Sequence, residues 1–302
     1  MFWRSAAMAL FIAAAVQCFM IGILAPQLPQ EVLTPELRDI RTLTLAAAPL
    51  VRLDNADGGL TVSTHEQDEI LVTADIRAYG SSSQKAVAEE YLATLLEIEN
   101  TEKALQIITE PEKRPEVVDL RVDYALTVPR GTGLEVVCTN GNVWVGAGCG
   151  RVTVEGNNTD IEITEPHGAV VAKSTIGRIR VHNAVENTWA ETVNGSVYAD
   201  MKGGTLRAST TNGHIYASLL DPGVRWCDLT AVNGNITLVM AEDCSAEVNA
   251  TAHRGVVSSD IVLDQLEGER RRRELHTRIG AGDCKLTMKS LNGDIWITRS
   301  AT

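Results

Sequence analysis

Ser196 and His214 stand 18 residues apart, each two places after an asparagine, Asn194 and Asn212. If that interval is a structural repeat, the two side chains lie side by side on the surface, a hydroxyl next to an imidazole able to take its proton. Hydrolysis by such a pair also needs a third group to orient the base, and one repeat further on stands Asn235, an amide where a carboxylate is wanted. The carboxylates do not converge either: Asp160 has Arg178 as its expected neighbour, and Asp200 has His182 and Ser218. No catalytic residue is assigned, although parallel β-helices can carry glycan-cleaving sites built from several acids on one face.

The same register marks a second row. Counting each corner asparagine as zero, the fourth residue onward is Trp144, Glu162, Arg180, Tyr198, Tyr216, Thr237 and Trp296. Strand side chains alternate, so if the third and fifth positions point inward the fourth points to solvent. Trp144, Tyr198, Tyr216 and Trp296 are therefore the candidate ligand-binding residues, because exposed rings can stack on sugars or partner side chains. The plainer reading is a stabilising cross-strand ladder without a ligand. Glu162 and Asp160 next to Arg180 and Arg178 read as charge pairing between repeats.

Other motifs carry less. Cys138, Cys149, Cys227, Cys244 and Cys284 form no Cys-x-x-Cys pair, and His65, His167, His253 and His276 have no partners at ligand spacing, so no metal and no cofactor is expected. An oxidising compartment would permit one or two disulfides. Gly146 to Gly150 lacks the Lys-Ser/Thr ending of a phosphate loop. Arg270 to Arg273 is flanked by Glu267, Glu269 and Glu274, and reads as a solvated loop outside the repeats. Acidic residues outnumber basic ones 39 to 27, and the net charge of −12 excludes nucleic acid as a partner.

What must position these residues is an all-β solenoid. Asn-Gly pairs begin at Asn140, Asn194, Asn212, Asn233 and Asn292, with degenerate copies at Asn158, Ile176 and Arg254. The spacing is 18 residues at first and 21 around Asn233. Third after each zero come Val143, Ile161, Ile179, Val197, Ile215, Ile236, Val257 and Ile295, all β-branched. Six before stand Leu134, Val152, Val170, Thr188, Leu206, Cys227, Val248 and Leu286. A constant inward slot at this period means coils of two short strands stacked into a single solenoid over residues 131–302. The corner Asn-Gly is expected to supply left-handed backbone geometry, and stacked corners would let the asparagines hydrogen-bond from coil to coil.

Residues 43–130 form a strand-rich lead-in with one helix at about residues 82–96, where Val87, Tyr91 and Leu95 share a face. Residues 26–42 hold Pro26, Pro29 and Pro35 and read as a stiff stalk. Ahead of them Ser5 to Ala25 is an apolar run behind Arg4, and its 21 residues would span about 31 Å as a helix. Residues 1–25 are accordingly expected to be an N-terminal transmembrane helix, a signal anchor placing the domain outside the cytoplasm as a single-pass cell-membrane protein, with a cleaved signal peptide as the alternative.

The Tyr124 to Pro129 lead-in, the repeated Asn-Gly-x-Ile/Val units and the ending Gly280 to Ile295 resemble the bacterial putative-adhesin family over most of residues 43–298. That resemblance implies a β-solenoid at the cell envelope (periplasm or cell surface), acting as a non-catalytic binding or structural module toward a glycan or an envelope protein. Two alternatives are an envelope-stress or envelope-assembly component working through a protein partner, and a polysaccharide-cleaving β-helix enzyme.

Overall fold

In a computed structural model, the described residues are 37–79, 85–109, 119–219, 221–241, 243–261 and 271–300. Their strands alternate buried and solvent-facing residues, and each repeat folds back at its asparagine to give two walls with the apolar side chains between them. β8 (Gly133–Val145) and β9 (Val152–Thr164) run through the corner as single bent strands. Later coils split there: β10 (Val170–Ile176) and β11 (Ile179–Ala184), β12 (Thr188–Asn194) and β13 (Val197–Met201), β14 (Gly204–Asn212) and β15 (Ile215–Leu219), β16 (Val224–Asn233) and β17 (Ile236–Met240).

Neighbouring coils pair in parallel without slippage at the inward slot. Val143, Ile161, Ile179, Val197, Ile215 and Ile236 are successive partners, and so are Leu134, Val152, Val170, Thr188, Leu206 and Cys227. All are buried. Each such aliphatic side chain contributes about 2 kcal/mol of hydrophobic stabilisation, available only while its neighbour coil is in place.

The corners bear out the expected backbone geometry only in part: Gly141, Gly177 and Gly213 have φ of 157°, 147° and 157°, whereas Gly195 and Gly234 have no positive φ. Among the described residues only Glu165 and Asn183 are non-glycine residues with positive φ, so no corner asparagine is left-handed. Glycine is needed there because the coils touch backbone to backbone: a Cβ on Gly213 would lie 1.9 Å from the carbonyl oxygen of Gly195, and one on Gly195 equally close to that of Gly177. The asparagine ladder does form. Asn212 Nδ2 donates to Asn194 Oδ1 and Asn233 Nδ2 to Asn212 Oδ1, both at 2.8 Å.

The order of coils departs from the order of sequence. β22 (Cys284–Asn292) and β23 (Ile295–Arg299) stack directly on β16 and β17, with Leu286 on Cys227 and Ile295 on Ile236. The earlier segments β18 (Ala246–Ala252) and β19 (Val257–Ser259) lie on the far side, with Val248 against Leu286 and Val257 against Ile295. The later coil is thus inserted between two earlier ones. The polar ladders explain the arrangement. Asn292 donates to Asn233 and accepts from Arg254 Nη1, and Asp294 Oδ1 accepts from the Val256 N–H. A guanidinium has no acceptor and valine no polar group, so the β18–β19 coil can end both ladders but cannot pass them on. Antiparallel β21 (Glu274–Ile279) and β20 (Arg271–Arg272) then cover that end. Arg271 and Arg272, expected in a loop outside the repeats, form that last strand.

At the other end β2 (Leu50–Asp57) and β3 (Leu60–His65) make the coil beneath β8. β6 (Leu105–Thr109) and β7 (Asp119–Pro129) pair with them, and β5 (Leu96–Asn100), β4 (Glu69–Tyr79) and β1 (Leu37–Ala46) continue antiparallel. Reversing strand direction breaks the template that would otherwise accept further coils. Charge laces this cap: Arg38 Nε donates to Asp75 Oδ1 at 2.8 Å, and Arg77 pairs with Asp75 as well as with Asp123. The Arg38 hydrogen bond, aided by Arg77 and opposed by desolvation, holds the Asp75 carboxyl down at about 2. The helix of this region is α1 (Lys85–Ala93); Tyr91, Leu92 and Leu95 at its end join the core, and the Leu92 carbonyl accepts from Arg41 Nη2 at 2.6 Å.

The transmembrane helix expected over residues 1–25 lies outside the described residues. Among those described no helix is long and apolar enough to cross a membrane. The nine residues of α1 would rise only about 14 Å against the roughly 30 Å of a hydrocarbon layer. Over the described residues the expected fold is corrected to an all-β stack with one short helix, and none of its elements is the membrane-crossing helix on which the expected single-pass cell-membrane localisation rests.

Candidate functional site

The second wall, made of the strands after each corner, carries the row expected from the sequence. Trp144, Glu162, Arg180, Tyr198, Tyr216, Thr237 and Trp296 are successive cross-strand partners. The inserted coil shortens this row, because Trp296 is separated from Tyr216 by Thr237 alone and Ser258 lies beyond it. Two coil spacings, about 10 Å, thus separate those aromatic positions along the ladder.

The structure brings Tyr198 and Tyr216 together and leaves the two tryptophans apart. The tyrosine rings stack with centroids 4.8 Å apart and planes 8° from parallel. Arg180 caps the other side of Tyr198 at 5.4 Å and pairs loosely with Glu162 at 4.0 Å, while His214 meets Tyr216 edge-on at 6.2 Å. Both faces of Tyr198 are therefore occupied, and what the pair offers a ligand is its rim and two neighbouring phenol hydroxyls. Trp144 differs. Its ring leans over Gly146, where a Cβ would come within 3.1 Å of it, and it is 40% exposed.

Ser196 and His214 are adjacent but hydrogen-bond elsewhere. Ser196 Oγ accepts from the backbone N–H of His214 at 3.1 Å, and His214 Nδ1 accepts from the backbone N–H of Asn235 at 3.0 Å. Asn235 Oδ1 in turn accepts from the Asp294 N–H at 2.9 Å, and Asp160 Oδ1 from the Arg178 N–H at 2.6 Å. Side chains two places after the corner thus satisfy the backbone of the next coil. With its Nδ1 lone pair on Asn235, His214 is given a structural use rather than the role of a base to Ser196. His182 Nδ1 lies 3.0 Å from Asp200 Oδ2, again between adjacent coils.

The five cysteines among the described residues are buried and unpaired. Desolvation pushes the Cys149 thiol up to about 11 and that of Cys284 up to about 12. Among the described residues no group of three His, Cys, Asp or Glu side chains is placed to hold a metal ion.

One arrangement escaped the sequence reading. On the first wall Trp189 has Lys173 Nζ at 4.7 Å and the Arg207 guanidinium at 5.2 Å from its ring, contributed by the coils before and after. Its indole Nε1 is buried without a hydrogen-bond partner. Its signal in the sequence is the shared register position of Val171, Trp189 and Arg207, five residues before the corner.

The Toastrack DUF4097 family model matches residues 52–298. A putative adhesin from Bacteroides fragilis NCTC 9343 is similar in structure at a TM-score of 0.52 and 11% identity, over 88% of this chain and 98% of that one. A putative adhesin from Parabacteroides merdae ATCC 43184 aligns at a TM-score of 0.43 and 12% identity, over 88% and 97%. A putative lipid binding protein from Parabacteroides distasonis ATCC 8503 aligns at 0.43 and 10%, over 88% and 98%. No curated protein matches the chain.

Proposed function

The chain belongs to the Toastrack DUF4097 family, the putative-adhesin family that its sequence motifs resemble, and from that premise we propose that it is a non-catalytic binding module whose contact surface is the second-wall row from Trp144 to Trp296. The observation that carries this reading is the fixed register of that row, which sets the exposed Trp144 and Tyr216 and the part-buried Tyr198 and Trp296 on a grid no single coil could maintain. A grid of this kind suits a repeating ligand such as a glycan chain. Trp144 supplies an open ring, and the tyrosine pair supplies hydroxyls for sugar hydrogen bonds. Each contact is worth only about 1 kcal/mol, so retention depends on engaging several at once.

The test is retention of the purified protein on immobilised glycans, comparing the natural chain with Trp144→Ser and Tyr216→Ser. Each substitution should weaken retention about fivefold, and the pair should abolish it, with the melting transition little changed. Retention by the folded double variant equal to that of the natural chain sinks the reading.

A further inference from the structure

The first wall carries a second feature, unrelated to the aromatic row. Where β6, β2, β8 and β9 lie side by side, their outer surface encloses a trough of about 290 Å³. One line of cross-strand partners runs along it, Glu97–Ile108–Asp54–Val137–Glu155, so that acidic and apolar side chains alternate from strand to strand. Val137 is 48% exposed although it is aliphatic and sits in the middle of a wall. The nearby cations are already engaged: Arg52 Nε lies 2.7 Å from Glu135 Oε2, and Lys173 Nζ lies 3.5 Å from Glu155 Oε1. Asp54 on the lining, with Glu97 and Glu99 on the flanking strand β5 opposite Ile108 and Gln106, therefore leaves the trough and its edge with an excess of negative charge, on a protein whose net charge is −12.

We infer that this trough binds a cationic amphipathic peptide segment. Ile108 and Val137 offer apolar contact that water serves poorly, and the acidic side chains beside them select lysine or arginine and reject acidic partners. An uncharged apolar occupant would leave those carboxylates without a counterion, and a purely cationic one would leave Val137 uncovered. The combination of both features commits the site to a ligand carrying both. This assignment is independent of the glycan reading, because the trough and the aromatic row lie on opposite walls.

The experiment is a fluorescence-anisotropy titration of the whole protein with three synthetic peptides repeating Lys-Ser-Leu-Ser, Glu-Ser-Leu-Ser and Lys-Ser-Ser-Ser. The first should bind saturably, the second not at all, and the third about tenfold more weakly than the first. Val137→Ser should weaken the first peptide by a similar factor. Asp54→Asn and Glu155→Gln should each weaken it about two- to fivefold, and Tyr216→Ser should leave it unchanged. All four positions are on the surface, so folding is checked by an unchanged circular dichroism spectrum. Equal binding of the acidic peptide overturns the assignment. So does binding of the first peptide that is indifferent to Val137→Ser, Asp54→Asn and Glu155→Gln, which would mean that overall charge alone attracts it.

Discussion

His214 and Asn235 are joined through the imidazole of one and the backbone of the other: Nδ1 accepts the Asn235 N–H at 3.0 Å. The same position in other coils is filled by Asp160, Ser196, Asn235 and Asp294, each accepting from the N–H of the coil stacked on it. Chemically unlike residues thus do one job, and a residue pair that resembles a nucleophile and its base is part of a structural ladder.

His214→Ala should therefore behave as the loss of one hydrogen bond. We expect a stability decrease of about 1 kcal/mol in urea unfolding, and the same order for Ser196→Ala. Loss of a hydrolytic activity in either variant, with folding intact, would contradict the structural assignment.

Gly213→Ala should be far more damaging than its one added carbon suggests. A Cβ 1.9 Å from the Gly195 carbonyl cannot be accommodated without parting the two coils. A cost of about 3 kcal/mol or more is expected, against about 1–2 kcal/mol for Gly131, where a Cβ would meet nothing and only the left-handed φ of 79° is strained. Equal unfolding midpoints for the two variants would rule out the backbone contact.

Leu286→Ala tests the order of coils. The cavity would lie between Cys227 on one side and Val248 on the other, at a cost of about 2–5 kcal/mol. Hydrogen exchange should rise together in Val224–Asn233 and in Ala246–Ala252. Exchange confined to residues near 286, with both of those strands still protected, would refute the insertion.

How much of this was legible in the sequence depended on which interactions repeat. The inward β-branched series from Val143 to Ile295 fixed register and wall, because every coil must fill the same slot. The place of the inserted coil was not legible from that series, since Val248 and Leu286 are both acceptable partners for Cys227. Only the ladders separate them, through Arg254 and Val256, which can terminate a chain of acceptors but not extend it. Of the four aromatic candidates, the Tyr198–Tyr216 contact followed from consecutive repeats, whereas the nearness of Trp296 to Tyr216 follows from the insertion. Trp189 and its flanking cations lie on the first wall, where the outward row Thr153, Val171, Trp189, Arg207, Asp228 repeats no residue type that would mark it.

Acid should loosen the cap formed by β1, β4 and β7. The Asp75 carboxyl is held below its ordinary value, at about 2. Its contribution is therefore complete above the unfolded-state value of about 3.9 and is lost as pH falls toward 2. Asp75→Asn should remove that dependence, giving a flatter stability curve between about pH 4 and 2. An acid limb identical to that of the natural chain would show that Asp75 does not act this way.

Thiol labelling should report opening of the stack. With its pKa near 11, Cys149 is ionised in only about one molecule in a thousand at pH 8, and burial adds a steric block. Mass spectrometry after alkylation should find Cys138, Cys149, Cys227, Cys244 and Cys284 unmodified in buffer and modified in urea. Rapid labelling of any of them in buffer would mean that its coil opens readily.

Insertion of β22–β23 between coils that precede it along the chain also sets a timetable for biosynthesis. A solenoid assembled in order could fold vectorially, each turn settling as it leaves the ribosome. Here β18–β19 emerges first yet has no permanent seat until β22–β23 has been made and has taken the place next to β16–β17. Closure of this end is thus postponed until synthesis has passed residue 299, and a nascent chain halted before that point would display an open, pairing-competent edge to whatever chaperone or protease surveys unfinished proteins.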